Sequence, residues 1–268
     1  MALALDPRVA RVWRTPDCIQ FGVDEPALVL DGVSSVDERM LVALAAGVSR
    51  EGLQLVADRA RAPSTAVQAL LDRLSPVLVT QRREPPPRSP LVVLDGAGPT
   101  AVAVEALLRD TGAEVRSGLS WSDAAVDRAD VAVIVAAYAV EPQRHARWLR
   151  RDVPHLPIVF GDAGVTVGPY VRPGRGPCLR CVDLHRTDAD PAWPAMATQL
   201  HTRDAPAETG IVAAATAARV AALLLAERRE GGHTTPSGVS ARLPRGAWDW
   251  VSREWAPHPE CGCLGLPP

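Results

Sequence analysis

The chain has 268 residues and five cysteines, four of which fall in two close pairs, Cys178-Leu-Arg-Cys181 and Cys261-Gly-Cys263. Thiols at such spacings can be aimed at a single ion, and zinc in structural sites takes four thiolates at tetrahedral angles. Two knuckles meeting across a long insertion satisfy that geometry without limiting the fold between them. The turn-rich run Pro173-Gly-Arg-Gly-Pro177 brings the chain into the first pair. The alternative is two disulfides. A Cys-x-Cys bridge would be badly strained. The opening residues Met1 to Pro7 also lack the basic and long apolar regions of an export signal, so a reducing cytoplasmic setting is expected. The expectation is therefore one structural zinc on Cys178, Cys181, Cys261 and Cys263. Four protein thiolates leave no open position for water or substrate, so the metal would fasten the C-terminus to the Cys178 loop rather than catalyse. Such a site can contribute on the order of 10 kcal/mol to folding. His258 could replace one sulfur, but with four cysteines present it is expected beside the metal rather than on it.

A second place for chemistry is Gly96-Ala-Gly98-Pro99-Thr100-Ala101, between an apolar run and a helical pattern, where a phosphate-binding loop would lie. Gly96, Gly98 and Thr100 are the candidate nucleotide contacts. Pro99 removes a backbone donor that phosphates would need, and no acidic residue ends a clear second strand. The segment is thus expected to be a tight turn, and ATP is not an expected cofactor. All 29 basic residues are arginine. The absence of lysine excludes a P-loop lysine and Schiff-base catalysis, because arginine has neither the geometry nor the tunable basicity. His185 lies among Asp183, Asp188 and Asp190 just after Cys181; a second metal or an acid/base pair is conceivable, but caps and turns are the expected roles. Cys18 is expected to pack as a small hydrophobe in a strand. No catalytic residue is assigned.

The elements that position these residues follow from periodicity. Val12-Trp13, Cys18 to Val23 and Ala27 to Leu30 read as three short strands. Ser35, with Glu38 three residues on, predicts a capped helix carrying Met40, Leu41 and Leu44 and stopped by Gly47. A second helix starts near Ser49 with Leu53 and Val56 inward. A third follows Pro63-Ser64 with Val67, Leu70, Leu71 and Leu74, ahead of a strand at Val77 to Val79. Three strands and three helices in that order resemble a winged helix-turn-helix module. Gln81 to Arg88 has three adjacent prolines and no period, which reads as a linker. Beyond it, Leu91 to Asp95, Ala129 to Val135, Leu156 to Phe160 and Val165 to Val171 are apolar runs alternating with helical patterns, as in a doubly wound α/β sheet. The domains expected are 1–82 and 90–268, with 83–89 as linker.

The stretch Gly168 to Trp193, which holds Pro-Cys178-Leu-Arg-Cys181, together with Trp255-Ala-Pro-His-Pro-Glu-Cys-Gly-Cys263, resembles the ThiF-type relatives of ubiquitin-activating enzymes. More narrowly it is similar to the bacterial leader-binding, cyclodehydratase-associated members of azole-peptide pathways. The opening Asp6 to Trp13 and Phe21 to Val23 are similar to the winged-helix peptide-recognition module of those proteins. The resemblance implies a Rossmann-like ThiF-type domain with a structural zinc behind that module. It also implies that a leader peptide adds as a strand in a groove between the strand near Leu28, Val29 and Leu30 and the helix of Val67 and Leu70. Active ThiF-type members hold ATP with a glycine-rich loop, an acidic residue ending the next strand, arginines and a lysine. Here Pro99 interrupts the loop, lysine is absent and Asp95 precedes the loop instead. What the resemblance implies is a non-catalytic subunit that recruits a precursor peptide, while a partner cyclodehydratase or other modifying enzyme does the ATP chemistry. The alternative is an adenylyltransferase that activates a carboxylate.

Two further classes are set aside. A net charge of −2 gives no electrostatic reason for a nucleic-acid partner, and Arg50, Arg59, Arg61 and Arg73 are offset by Glu51, Asp58 and Asp72. The most apolar stretch, Ile211 to Ala226, is short for a membrane span and carries Arg219 at its centre, so a buried helix is expected, with a homodimer contact as a further use for it.

Overall fold

The computed structural model describes residues 2–81, 88–201, 203–229 and 237–264. It divides into two compact units, Met1–Pro87 and Arg88–Pro268. Most of the expected linker 83–89 lies outside the described residues.

In the first unit β1 (Ala2–Leu5) is followed by β2 (Arg11–Thr15), β3 (Cys18–Phe21) and β4 (Leu28–Leu30), then α1 (Ser35–Ala46), α2 (Arg50–Arg59), α3 (Ala66–Arg73) and β5 (Leu78–Gln81). β2, β3 and β4 form an antiparallel meander in that order, and β1 pairs with β5. The capping box of α1 sits one residue earlier than Ser35 and Glu38 suggested. The Asp37 N–H donates to Ser34 Oγ at 3.1 Å, and the Ser34 N–H donates back to the Asp37 carboxylate at 2.9 Å. The second helix starts at Ser49 as expected, and the Ser49 side chain caps it. Ile19, Phe21, Leu30, Met40, Leu44, Leu53 and Leu74 fill the core between the meander and the helices. β1 escaped the sequence reading because Ala-Leu-Ala-Leu has no β-branched residue; its pairing with β5 and a bridge from Leu3 to Val48 make it a strand.

The second unit is built on β6 (Leu91–Asp95), α4 (Pro99–Asp110), β7 (Glu114–Ser117), α5 (Ala124–Asp127), β8 (Val131–Ala137), α6 (Pro142–Leu149), β9 (His155–Gly161) and β10 (Gly164–Val167). It continues with α7 (Leu179–Ala189), α8 (Trp193–Leu200), α9 (Gly210–Arg229), β11 (Val239–Pro244) and β12 (Val251–Glu254). One seven-stranded sheet has the order β12-β11-β10-β9-β8-β6-β7. β7, β6, β8 and β9 are parallel, while β9 through β12 pair antiparallel. The expectation of a parallel strand over Val165–Val171 is corrected on both counts. The strand ends at Val167, and only two residues separate it from β9, too few for a parallel crossover. The chain passes from β6 to β7 on one side and to β8 on the other, which opens a crevice at the carboxyl ends of β6 and β8.

Side chains from the two faces of this sheet fill two separate cores. One joins Val92, Leu94, Val133 and Leu156 to Val104 of α4 and Ala217 and Val220 of α9. The other joins Val93, Ile134, Trp148 and Val171 to Cys178 and Cys181. The helix expected at Ile211 to Ala226 is twenty residues long, and by length and composition Gly210–Arg228 could cross a membrane. Ala217, Val220, Ala221 and Leu224 are instead buried against α4 and the sheet, so its apolar stripe already has an intrachain partner.

Candidate functional site

The four cysteines of the second unit converge. Cys178 is the N-cap residue of α7 and Cys181 lies one turn on, so the two sulfurs share a face 4.0 Å apart. The C-terminal pair approaches them from the other end of the chain: Cys178 Sγ is 3.6 Å from Cys261 Sγ, and Cys181 Sγ is 3.5 Å from Cys263 Sγ. All four ligand atoms lie within 4.8 Å of one another, and none is in a disulfide. Sulfurs at the corners of a tetrahedron about 2.3 Å from a zinc ion would be about 3.8 Å apart, so the donor set and its spacing fit a tetrahedral dication. Burial pushes the Cys178 thiol well up, and burial together with its thiol neighbours pushes Cys263 up to about 11. Burial also opposes ionisation of Cys181, but hydrogen bonds at the His258 and Cys178 backbone and with the Cys263 and Cys261 thiols together outweigh it, and its net shift is downward.

The histidine and aspartates around this centre are structural ties. The Glu260 N–H donates to His258 Nδ1 at 3.1 Å, which leaves the proton on Nε2, and that nitrogen donates to Asp188 at 2.9 Å. His185 Nε2 lies 2.9 Å from the Ala256 carbonyl. Asp183 accepts from Trp193 Nε1, and Asp190 caps the Ala192 N–H. Ligand atoms of His185, Asp188 and His258 lie close enough for an ion, but both nitrogens of His258 are already engaged. This group holds the C-terminal tail on α7 and so positions Cys261 and Cys263. Cys18 is buried, and a hydrogen bond to Asp31, with burial, raises its thiol, which disfavours a nucleophile.

The glycine turn lies at the crevice. At Gly96 φ is +147° and an added Cβ would meet Val135 at 2.8 Å, so the close approach of β6 to β8 requires glycine. Gly98, Pro99 and Ala205 line a cleft of about 790 Å³ with Asp95, Arg144, His201, Arg203 and Glu208. Two polar networks here were not read from the sequence. Arg144 of α6 pairs with the Asp95 carboxylate at 2.9 Å and also donates to the carbonyls of Asp95 and Val135, while Trp148 Nε1 donates to the same carboxylate at 3.3 Å. Glu208 accepts the Thr100 N–H at 3.0 Å across 108 residues of sequence, a separation at which no local pattern signals a pair. The Thr100 side chain is fully buried, with no partner for Oγ1 among the described residues.

In the first unit the outer edge of β4 pairs with no strand among the described residues. Of the residues expected to meet a peptide, Val29 is 36% exposed and Leu28 half-buried. Leu30, Val67 and Leu70 are instead packed in the core, because the apolar stripe of α3 is what fastens it to the sheet. The Arg73 guanidinium, at the end of α3, donates to the Asp31 carbonyl just past β4. A separate hollow of about 470 Å³ lies between β2 and α1, lined by Trp13, Ile19, Leu41 and Val42 with Arg11 and Arg39.

This architecture occurs in solved proteins. The heterocyclase TruD matches over 98% of this chain with a TM-score of 0.69 at 16% identity. A heterocyclase solved with substrate and cofactor matches over 98% with a TM-score of 0.68 at 17% identity. The chain spans 43% and 39% of the length of those two proteins. E. coli MccB, solved with MccA, matches over 99% of this chain and 100% of its own, with a TM-score of 0.59 at 13% identity. MccB has also been solved with ATP. What these proteins share with this chain is a fold. No family model and no curated protein matches the sequence.

Proposed function

We propose that this chain is a non-catalytic, zinc-stapled subunit that captures a precursor peptide by its leader segment in the biosynthesis of a ribosomally made, azole-bearing peptide. The observation that carries this reading is the outer edge of β4, which pairs with no strand among the described residues and is tied to the end of α3 by the Arg73 bond to the Asp31 carbonyl. An extended peptide adds to such an edge through main-chain hydrogen bonds, with side-chain contacts setting specificity. The first unit acts as a winged-helix recognition module, Leu28 and Val29 offer the contact surface, and Leu30, Val67 and Leu70 hold the groove rigid from beneath. The second unit is a Rossmann-like, ThiF-type scaffold fastened by zinc on its four clustered cysteines. Activation of the peptide belongs to a partner, a cyclodehydratase or another modifying enzyme, in the cytoplasm. Likeness to the heterocyclases and to MccB, solved with MccA, supports a peptide as the ligand.

Titrating the zinc-loaded full chain into a fluorescein-labelled synthetic leader peptide, taken from the precursor genes beside its own, tests the reading by anisotropy. Saturable binding is expected, weakened about tenfold by Val29→Asp, since the charge would be desolvated against the bound strand. No saturable binding to any of those peptides would sink it. The competing reading, an adenylyltransferase, is favoured by the cleft of about 790 Å³ beside the glycine turn. Pyrophosphate exchange by the purified chain with ATP and magnesium would put it in first place.

A further inference from the structure

We infer that the Glu208 carboxylate is an internal stand-in for a phosphate and closes the β6–α4 turn to nucleotides. In a doubly wound sheet the crevice at the switch point and the helix N-terminus beside it form the usual anion site, because the first backbone N–H groups of the helix have no partner within it. In α4 those donors are few. Position N1 is Pro99, which has no N–H, and the first bond within the helix runs from Val102 to the Gly98 carbonyl at 3.2 Å. Of the three donors left, the N–H groups of Gly98, Thr100 and Ala101, that of Thr100 is taken by Glu208 at 3.0 Å.

The carboxylate also fills the space a phosphate would need. Both its oxygens lie 3.1 and 3.2 Å from where a Cβ would stand on Gly98. Glycine at such a turn lets an anion approach the backbone, and here the anion that does so belongs to the chain. Its position is fixed. Glu208 follows the buried Ala207, donates from its N–H to the Ala205 carbonyl at 3.3 Å, and stands two residues before α9, which packs along α4. Of the two arginines that line the cleft, Arg144 and Arg203, Arg144 is held by the Asp95 carboxylate and by the Asp95 and Val135 carbonyls. A phosphate entering this turn would meet a fixed like charge at contact distance. The nucleotide that the fold could accommodate therefore does not fit the residues present.

This inference goes beyond peptide capture. The proposed scaffold needs only that ATP chemistry occurs elsewhere, whereas here a single residue excludes the anion. The test is calorimetric titration of the zinc-loaded full chain with pyrophosphate and with ATP and magnesium, for the wild type, Glu208→Gln and Glu208→Ala. The expected order of affinity is wild type below Glu208→Gln below Glu208→Ala, with the alanine variant gaining about tenfold or more over the wild type. Glu208→Gln keeps an oxygen for the Thr100 N–H and removes only the charge, so its gain decides the matter should the alanine variant fail to fold. Equal affinity in the wild type and the folded variants, whether all bind or none does, overturns the inference. Peptide anisotropy is unaffected by either result, so failure of this idea and failure of peptide capture are read separately.

Discussion

At the scale of single residues, two buried imidazoles set the response to acid. His145 and His155 lie 5.7 Å apart between ring centroids, and burial lowers both to about 4 from an ordinary value of 6.5. His155 Nδ1 is held by the Val153 carbonyl, while His155 Nε2 and His145 Nδ1 have no partner among the described residues. The native state therefore holds these rings neutral, while the unfolded chain takes up protons below its ordinary value. Stability from this source is complete above pH 6.5 and declines as the pH falls towards about 4, by at most roughly 3 kcal/mol for each ring. The two amounts do not add, since a charge on His155 itself lowers His145. Urea unfolding at stepped pH checks this: the decline across that window becomes roughly half as steep in His145→Gln, which no longer titrates. An unchanged slope would mean these rings are not what responds to acid.

At the scale of elements, the buried stripe of α9 mixes Ala213, Ala217 and Ala221 with Val220 and Leu224, and the outward residues Ile211, Ala214, Ala218 and Ala222 are apolar as well. Small residues let it lie close along α4, as the burial of Ala213, Ala217 and Ala221 indicates. Val220 on that stripe is fully buried, whereas Ile211 at the start is 77% exposed. Val220→Ala is expected to cost about 1–3 kcal/mol from the lost burial and the void left behind. Ile211→Ala is expected to stay within roughly 0.5 kcal/mol. Urea midpoints of the two variants check the contrast. A loss at Ile211 as large as that at Val220 would mean that residue 211 is covered in solution, as a homodimer contact through α9 would require.

At the scale of the whole molecule, each unit has a core of its own, and the cysteine cluster belongs to the second alone. A metal held by these cysteines would contribute folding energy only where its ligands are, since binding to the native state alone is what stabilises. Calorimetry of the zinc-loaded chain should show two transitions. Chelation, or Cys181→Ser, should lower the second unit's transition sharply, with zinc content falling in parallel, and leave the other in place. A single transition that shifts as a whole would show the units to be one cooperative body.

Much of this protein is legible in its residues because the signals are local or chemically narrow. Paired cysteines, the start of a helix near Ser49 and the apolar run Leu91 to Asp95 each speak through a short segment, and each stands where its pattern indicates. The absence of lysine likewise limits the chemistry without any structure. Tertiary structure decided what depends on partners far away in sequence. β1 is a strand because β5 pairs with it, and β10 runs antiparallel because a two-residue turn leaves it no other course. The apolar residues Val67 and Leu70 are spacing signals for a helix face, and only packing reveals that this face is the core side rather than the surface. The anion at the α4 N-terminus is the clearest case: Pro99 shows in sequence that one donor is missing, but the carboxylate that takes the next comes from 108 residues away. Periodicity reports which residues are apolar and how the backbone turns. The pairing of two distant polar groups is set by the path of the chain in three dimensions, which no local pattern encodes.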